Sequence, residues 1–351
     1  MKEELNIKAP NLPSEITVEW LNNVLASEIS GAKIISMEID QNFGPESLLG
    51  KAVRLNLQLS DKESQLHSVI VKFQVHTSGP EKEGQIYQLL SADKVPYIPK
   101  LHAIFGNGNL IIEDLSPDHS TIEETTIEQA KNVLSKLADL NSRFWEDDRV
   151  PIYDRLHFIN SININFDQSW ERFQKRYKEQ LGNEENTFKW MQQNPEQIAD
   201  LYNSGPINLS HGDVNRDNIL FPKDDSNDPV LIDWQLAGHK ILGFDPSYYI
   251  VNTLTVEQRH EHEQALLKEY YQQLPEQIQA TYSFDRLFLA YRACITRSML
   301  SAVTRIGPKF DDFTYRDNDA DELTTRVLQA MRDHQPIEAI EELEKNKWLT
   351  K

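Results

Sequence analysis

Cysteine is almost missing from this chain. Its 351 residues include one, Cys294, so no intrachain disulfide can form. Cys294 sits among Tyr291, Ile295 and Leu300 in a helical-looking stretch, and buried filler is expected there rather than a reactive thiol. Positive charge is also scarce. Lys and Arg number 36 against 55 Asp and Glu, for a formal net charge of −19. No run of Lys and Arg offsets this, which argues against nucleic acid or an anionic membrane as a partner. No stretch approaches the roughly 18 apolar residues of a membrane span. The opening Met-Lys-Glu-Glu-Leu-Asn-Ile lacks the apolar core of a signal peptide, and a cytoplasmic protein is the expectation. The ten histidines are scattered. His260 and His262, two apart on a helix, would point to different faces, so no zinc site is expected. Internal repeats and low-complexity linkers are absent.

What is present is an ordinary globular composition, 39% hydrophobic and 26% charged. The length suffices for two lobes around a cleft. The informative part is short. Residues 210–219 read Ser-His-Gly-Asp-Val-Asn-Arg-Asp-Asn-Ile, which is His-Gly-Asp, four residues, then Asn. Leu-Ile-Asp-Trp-Gln follows, and its acid, Asp233, lies fifteen positions beyond Asn218. An acid, an amide five positions on and a second acid ending an apolar run are what phosphoryl transfer from ATP requires. One acid orients and deprotonates a hydroxyl, while the amide and the other acid hold magnesium at the phosphates. Local structure agrees. Residues 207–209 lead into the turn, 218–221 read as a short strand, 222–229 as a polar turn, and 230–232 as a second strand delivering Asp233.

These segments resemble the catalytic and metal loops of the aminoglycoside phosphotransferase and choline kinase superfamily, and within it most resemble the ecdysteroid-kinase-like branch. Its members are similar in fold to protein kinases. The resemblance implies an α+β, bilobal protein-kinase-like fold, with a small mixed β-sheet lobe and a larger, mainly helical lobe. It implies that Asp213 is the catalytic base, Asn218 a magnesium ligand and Asp233 the main magnesium ligand. Protein kinases carry Arg where this chain has Gly212, and Phe-Gly where it has Trp234-Gln235. Both departures match the small-molecule branch.

The order of elements up to residue 113 is that of an ATP-binding lobe. Ile16, Trp20, Leu21, Val24 and Leu25 recur at helical spacing. Residues 33–40 read as a strand. Val53, Leu55, Leu57 and Leu59 alternate with polar residues, 61–65 form a turn, and 69–73 are the next strand. The loop 43–51 stands where a phosphate-covering glycine loop would, though its pattern matches one poorly. A plain hairpin and a phosphate contact are both open, and the neighbouring motifs favour the contact. Ser47 and the backbone around it would then donate to phosphate oxygens. Lys72 resembles the strand lysine that grips the α- and β-phosphates and needs an acid to orient it. Glu83, opening a Glu-x-x-x-Tyr helix like the family's, is that acid, with Glu81 as the fallback. The strand 110–115, after the turn Gly106-Asn107-Gly108, resembles the hinge whose backbone meets adenine, at Glu113 and Leu115. As bare sequence, Glu113-Asp114 reads as a solvated turn.

Beyond residue 113 helices dominate. Thr126 with Gln129 makes a capping box. Residues 137–145 resemble the family's Leu-x-x-Leu-His-Ala-x-Phe-Trp helix, with Asn141, expected to be structural, in place of His. Residues 170–177, 284–304, 321–334 and 336–345 also read as helices. About a dozen residues after Asp233 comes Gly243-Phe244-Asp245, where the family places a buried acid that braces the catalytic loop. So short a segment leaves no platform for a peptide substrate. Arg216 lies inside the loop, where a surface salt bridge is preferred over contact with the transferring phosphate.

The expected division is 1–113 as the ATP-binding lobe and 114–351 as the catalytic and acceptor-binding lobe. The expected activity moves the γ-phosphate of ATP, with Mg2+, to the hydroxyl of a small-molecule acceptor. A non-catalytic nucleotide- or ligand-binding module and a protein kinase are the rivals. An acidic stretch, Asp311, Asp312, Asp317, Asp319, Asp321 and Glu322 with Phe310, Phe313 and Tyr315 interleaved, reads either as a solvated loop or as a wall that attracts a cationic acceptor.

Overall fold

Alternating apolar residues in the N-terminal third produce strands, because successive side chains leave a strand on opposite faces. The computed structural model describes residues 9–29, 31–40, 43, 50–61, 66–74, 81–224, 226–307 and 317–349. In it β1 (Ile34–Asp40), β2 (Gly50–Leu59), β3 (Ser68–Gln74), β4 (Leu101–Phe105) and β5 (Asn109–Glu113) form a sheet in the order β1-β2-β3-β5-β4. Every neighbouring pair is antiparallel. Val53, Leu55, Leu57 and Leu59 of β2 are buried while Asn56 and Gln58 between them are exposed. Val69, Val71 and Phe73 of β3 share that core with α1 (Val18–Val24). The Trp20 ring meets Phe105 edge-on at 4.8 Å, and Phe73 meets the same ring at 5.8 Å. Asn22 fastens α1 to β1. It donates to the Ile34 carbonyl and accepts from the Ile34 N–H, both at 2.9 Å. Thr17 caps the helix, accepting from the Trp20 N–H at 3.1 Å.

Lys72 alternates with Val71 and Phe73 and therefore leaves β3 from the opposite face. On that side lies α2 (Glu81–Ala92), with Glu83 in its first turn and Ile86, Tyr87 and Leu90 buried. Gly84 of this helix faces the β4–β5 turn, where a Cβ would stand in ordinary contact, 3.5 Å from the Gly108 carbonyl oxygen. Strand β4 had no signal in the sequence. Four of its five residues are only partly buried, so no alternation marks it.

The remaining elements are mainly helical. The capping box at Thr126 is formed: Thr126 Oγ1 accepts from the Gln129 N–H at 3.2 Å, and Gln129 Oε1 from the Thr126 N–H at 3.0 Å. It opens α3 (Ile127–Arg143). Next come α4 (Arg155–Leu181), α5 (Glu184–Gln193), α6 (Pro195–Tyr202), α7 (Phe244–Thr253), α8 (Val256–Gln272) and α9 (Glu276–Thr281). The chain ends in α10 (Phe284–Ala293), α11 (Ile295–Thr304), α12 (Asp317–His334) and α13 (Pro336–Lys345). Every residue of α7 is buried, so it is the helix around which the others pack. α4 and α5 add an aromatic cluster in which Trp170 stacks on Phe173 at 5.7 Å and Phe173 meets Phe188 at 5.1 Å. The stretch expected as one helix over 284–304 is two, parting at Cys294. Cys294 is fully buried, and burial pushes its thiol well above the ordinary range.

The chain gathers into two units. The first is Met1–Ser120 with Val230–Gln235, and the second is Thr121–Pro229 with Leu236–Lys351. The expected single cut after residue 113 contained no such return of residues 230–235. Among the described residues, no helix is long and apolar enough to cross a membrane.

Candidate active site

In the first unit, Lys72 is the centre of a charged cluster. Its Nζ donates to Glu83 Oε1 at 2.6 Å and to Asp233 Oδ1 at 2.7 Å. Gln235 Nε2 donates to the same Asp233 oxygen. Strand β3 aims the lysine, the first turn of α2 presents Glu83, and the returning segment brings Asp233. Burial alone would push the Lys72 ammonium down, but the Asp233 and Glu83 carboxylates outweigh it and hold the amine above its ordinary range. The Glu83 side chain is 1% exposed and that of Asp233 33%, so the inner acid is sealed and the outer one reaches solvent. Tyr87, one turn after Glu83, is fully buried, and burial and the nearby Glu83 charge both raise its phenol. Asp233 adopts φ +66°, left-handed backbone that a non-glycine residue holds only when its surroundings enforce it. Ser47 lies outside the described residues, as does the side chain of Glu81.

The hinge-like segment is fixed by Asp114, which as bare sequence would sit in a solvated turn. The Asp114 side chain is 1% exposed. It accepts from Arg54 Nε at 2.7 Å, Ser68 Oγ at 2.6 Å, Ser116 Oγ at 2.7 Å and the Ser116 N–H at 3.0 Å. Glu113 donates its N–H to the Lys100 carbonyl at 2.9 Å, and its Oε2 accepts from the Lys100 N–H at 3.0 Å. The Leu115 carbonyl accepts from the N–H groups of Asp118 and His119. Burial pushes the Asp114 carboxyl up, but the serine and arginine donors more than reverse this and keep it below its usual value. A depressed folded pKa means stability that is complete above the unfolded value of about 3.9 and is lost as pH falls through the lower folded value. Replacing Asp114 by Ala is therefore expected to cost roughly 1–3 kcal/mol at pH 7. In urea titrations this gap to the wild type should close as pH drops below about 4. A gap that stays constant down to pH 3 would refute the assignment.

In the second unit the loop after residues 209–210 carries Asp213 and Asn218. Asn218 Nδ2 donates to the Asp213 carbonyl at 2.9 Å and to Asp213 Oδ2 at 3.1 Å. The other carboxylate oxygen, Oδ1, accepts from Arg297 Nη2 at 3.1 Å. The loop backbone hangs on Asp245, which accepts from the His211 N–H at 2.7 Å and the Gly212 N–H at 2.9 Å. Asp245 is buried, and burial raises its carboxyl despite the opposing His211 charge and the two backbone donors. Asn141 also supports the loop. Its Nδ2 donates to Asn208 Oδ1 and to the Leu209 carbonyl, both at 2.9 Å, and its Oδ1 accepts from Tyr270 OH at 2.6 Å. Arg216 donates to the Glu123 carbonyl and lies 3.9 Å from Asp319.

Gly212 makes the turn possible. Its φ is +84°, and a Cβ there would stand 2.3 Å from the Leu236 carbonyl oxygen. The left-handed backbone alone costs an L side chain about 1–3 kcal/mol. The clash adds to that, because the neighbour is backbone and does not swing aside. Gly212→Ala should lower the thermal midpoint by roughly 5–10 °C. Calorimetry showing an unchanged midpoint would disprove this close approach.

The family described as "Uncharacterized oxidoreductase dhs-27" (DUF1679) matches residues 112–343. The chain belongs to this family. No curated protein matches it. Among solved structures, choline kinase from Cryptosporidium parvum Iowa II is 14% identical with a TM-score of 0.57, over 95% of this chain and 99% of that one. Choline kinase LicA from Streptococcus pneumoniae is 16% identical with a TM-score of 0.50, over 88% and 96%. LicA has also been solved in complex with AMP. A Ralstonia eutropha jmp134 protein assigned as an aminoglycoside phosphotransferase is 15% identical with a TM-score of 0.50, over 93% and 98%. This member of DUF1679 therefore has the kinase-like α+β fold of the choline kinases and aminoglycoside phosphotransferases.

Three neighbours of the expected site residues escaped the sequence reading in this family member. Arg297 contacts Asp213 from 84 positions away in the chain. Gln235 was noted only as a departure from Phe-Gly. Asp114 was read as surface. The signal for Arg297 was a lone cation in the mostly apolar run of α11, since a buried charge has to be paired.

Proposed function

We propose that this protein transfers the γ-phosphate of ATP to the hydroxyl of a small acceptor. The observation that carries the reading is Lys72, held at 2.6 Å by a sealed acid and at 2.7 Å by an acid at a strained backbone position. A cation oriented in this way is suited to the α- and β-phosphates. The fold it shares with choline kinases, one of them solved with AMP, supports an adenine nucleotide as the ligand. Glu113 and Leu115 would meet adenine through their backbone, and Ser47 would serve the phosphates.

Asp213 would accept the acceptor's hydroxyl proton as that oxygen bonds to the γ-phosphorus. The bond from the γ-phosphorus to the β–γ bridging oxygen breaks, and ADP leaves with the electron pair. Magnesium would be held by Asp233 and Asn218. Asn218 uses its Nδ2 on Asp213, so its Oδ1 is left as a hard donor for that metal. Carboxylate and amide oxygens are the donor type that magnesium takes, completed by phosphate oxygens and water. Among the described residues no three His, Cys, Asp or Glu side chains gather as a metal cage. Bound magnesium would neutralise phosphate charge.

The word oxidoreductase in the family's description finds no support in the residues. A dinucleotide fingerprint needs Gly-x-Gly-x-x-Gly between a strand and a helix. The chain's one Gly-x-Gly, at Gly106 and Gly108, joins two antiparallel strands and has Ile111 at the third position. Three members of the acidic stretch already face arginines. Asp321 pairs with Arg176 at 3.0 Å, Glu322 with Arg326 at 3.2 Å, and Asp319 faces Arg216. Asp311, Asp312, Phe310, Phe313 and Tyr315 lie outside the described residues. The test is a panel of hydroxylated metabolites and drugs with magnesium and ATP, and generic protein substrates as a control. ADP release tied to a phosphorylated small molecule supports the reading. Phosphate appearing only on protein, or NAD(P)H oxidation without ADP, refutes it.

A further inference from the structure

The two oxygens of Asp213 are held separately, Oδ2 by Asn218 and Oδ1 by Arg297, each at 3.1 Å. A carboxylate has about four in-plane acceptor sites, so two remain for an incoming hydroxyl. Without both donors the group is free to swing about its Cβ–Cγ bond. Arg297 itself is fixed from elsewhere. Its guanidinium lies over the Tyr248 ring at 4.5 Å, and the Tyr248 hydroxyl stands 3.3 Å from Ser301 Oγ of α11. Tyr248 and Asp245 are three apart on α7, which puts them on one face of that buried helix. One face of α7 thus braces the catalytic loop twice. Asp245 holds the backbone of His211 and Gly212, and Tyr248 holds the arginine that holds the Asp213 side chain. Burial alone would lower the Arg297 guanidinium, but the Tyr248 ring and Asp213 keep it above its ordinary range, so a full charge faces the carboxylate.

We infer that Arg297 is a positioning residue that sets the rotamer of Asp213 for proton transfer. The inference rests on the kinase reading above. Its role is geometric, so removing it should lower turnover and leave nucleotide affinity alone. The assay is ADP release from magnesium–ATP, with water as acceptor or with the best compound of the panel. Arg297→Ala should lose roughly 10- to 100-fold in kcat while KM for ATP stays within about twofold. Guanidinium chloride at millimolar concentration should restore part of that loss, as it does not in Asp213→Asn. Arg297→Lys, which keeps the charge but not the planar fork, should fall in between. A second readout needs no turnover. Amide hydrogen exchange across residues 211–219 should quicken in Arg297→Ala while α7 stays protected. Wild-type exchange in that loop, or a kcat loss that guanidinium leaves untouched and that brings an equal rise in KM, overturns the inference. If wild type and Asp213→Asn release ADP at equal rates, it is the kinase reading that fails. The exchange result then still decides whether Arg297 orders the loop.

Discussion

Asp213→Asn should bind ATP as the wild type does and turn over roughly 10²- to 10⁴-fold more slowly, the range of a positioned acid–base group. The substitution is nearly isosteric. The Asp213 backbone, with its bonds from Asn218 and Asn215, is unchanged, and the loop above it still hangs on Asp245. What disappears is the ability to take a proton, together with one of the two bonds accepted from Asn218 and Arg297, since an amide has a single acceptor oxygen. Calorimetry with ATP and magnesium, run beside a turnover assay, separates the two quantities. Wild-type turnover in the variant would remove Asp213 as the base. Loss of ATP affinity along with turnover would instead mean that the loop had collapsed.

Asp233→Ala should remove the gain in ATP affinity that magnesium brings. Two effects act together. The carboxylate proposed for the metal is lost, and Lys72 keeps Glu83 alone of its two carboxylates. The lysine is then expected to turn toward Glu83, away from the direction in which phosphates would come. Isothermal titration with magnesium and with chelator gives the comparison. Equal ATP affinities in the wild type under both conditions, or a magnesium-dependent gain that survives in the variant, would sink the assignment. The strained backbone at Asp233 is in line with such a role, because a non-glycine residue at φ +66° persists only where the fold requires it.

The parts of this molecule that were legible in the sequence are those where chemistry or geometry dictates residue type over a short span. The His-Gly-Asp loop is one: a Cβ at Gly212 collides with Leu236, so only glycine fits. The alternation in β2 is another, and the Thr126 capping box a third. The pairing of Lys72 with Glu83 was legible through its likeness to the family's strand lysine and Glu-x-x-x-Tyr helix, with Glu81 left as the fallback. Other features depend on partners distant in the chain. Asp114 reads as a surface acid until Arg54 and Ser68, 60 and 46 positions earlier, close over it. The break at Cys294 has no glycine or proline to announce it. Strand β4 carries no alternation because it is only partly buried.

The return of Val230–Gln235 to the first unit bears on how this protein can be cut and recombined. A fragment ending at residue 120 would contain Lys72 and Glu83 but not the carboxylate that completes the cluster. An N-terminal segment exchanged with a relative would likewise meet the host's own Asp233 segment, not the one it evolved with. Chimeras joined at a single crossover near residue 120 should therefore express with a mismatched cluster. Chimeras that also carry residues 230–235 should keep it intact. In this chain heredity and architecture are out of step: six residues are inherited with one half and folded with the other.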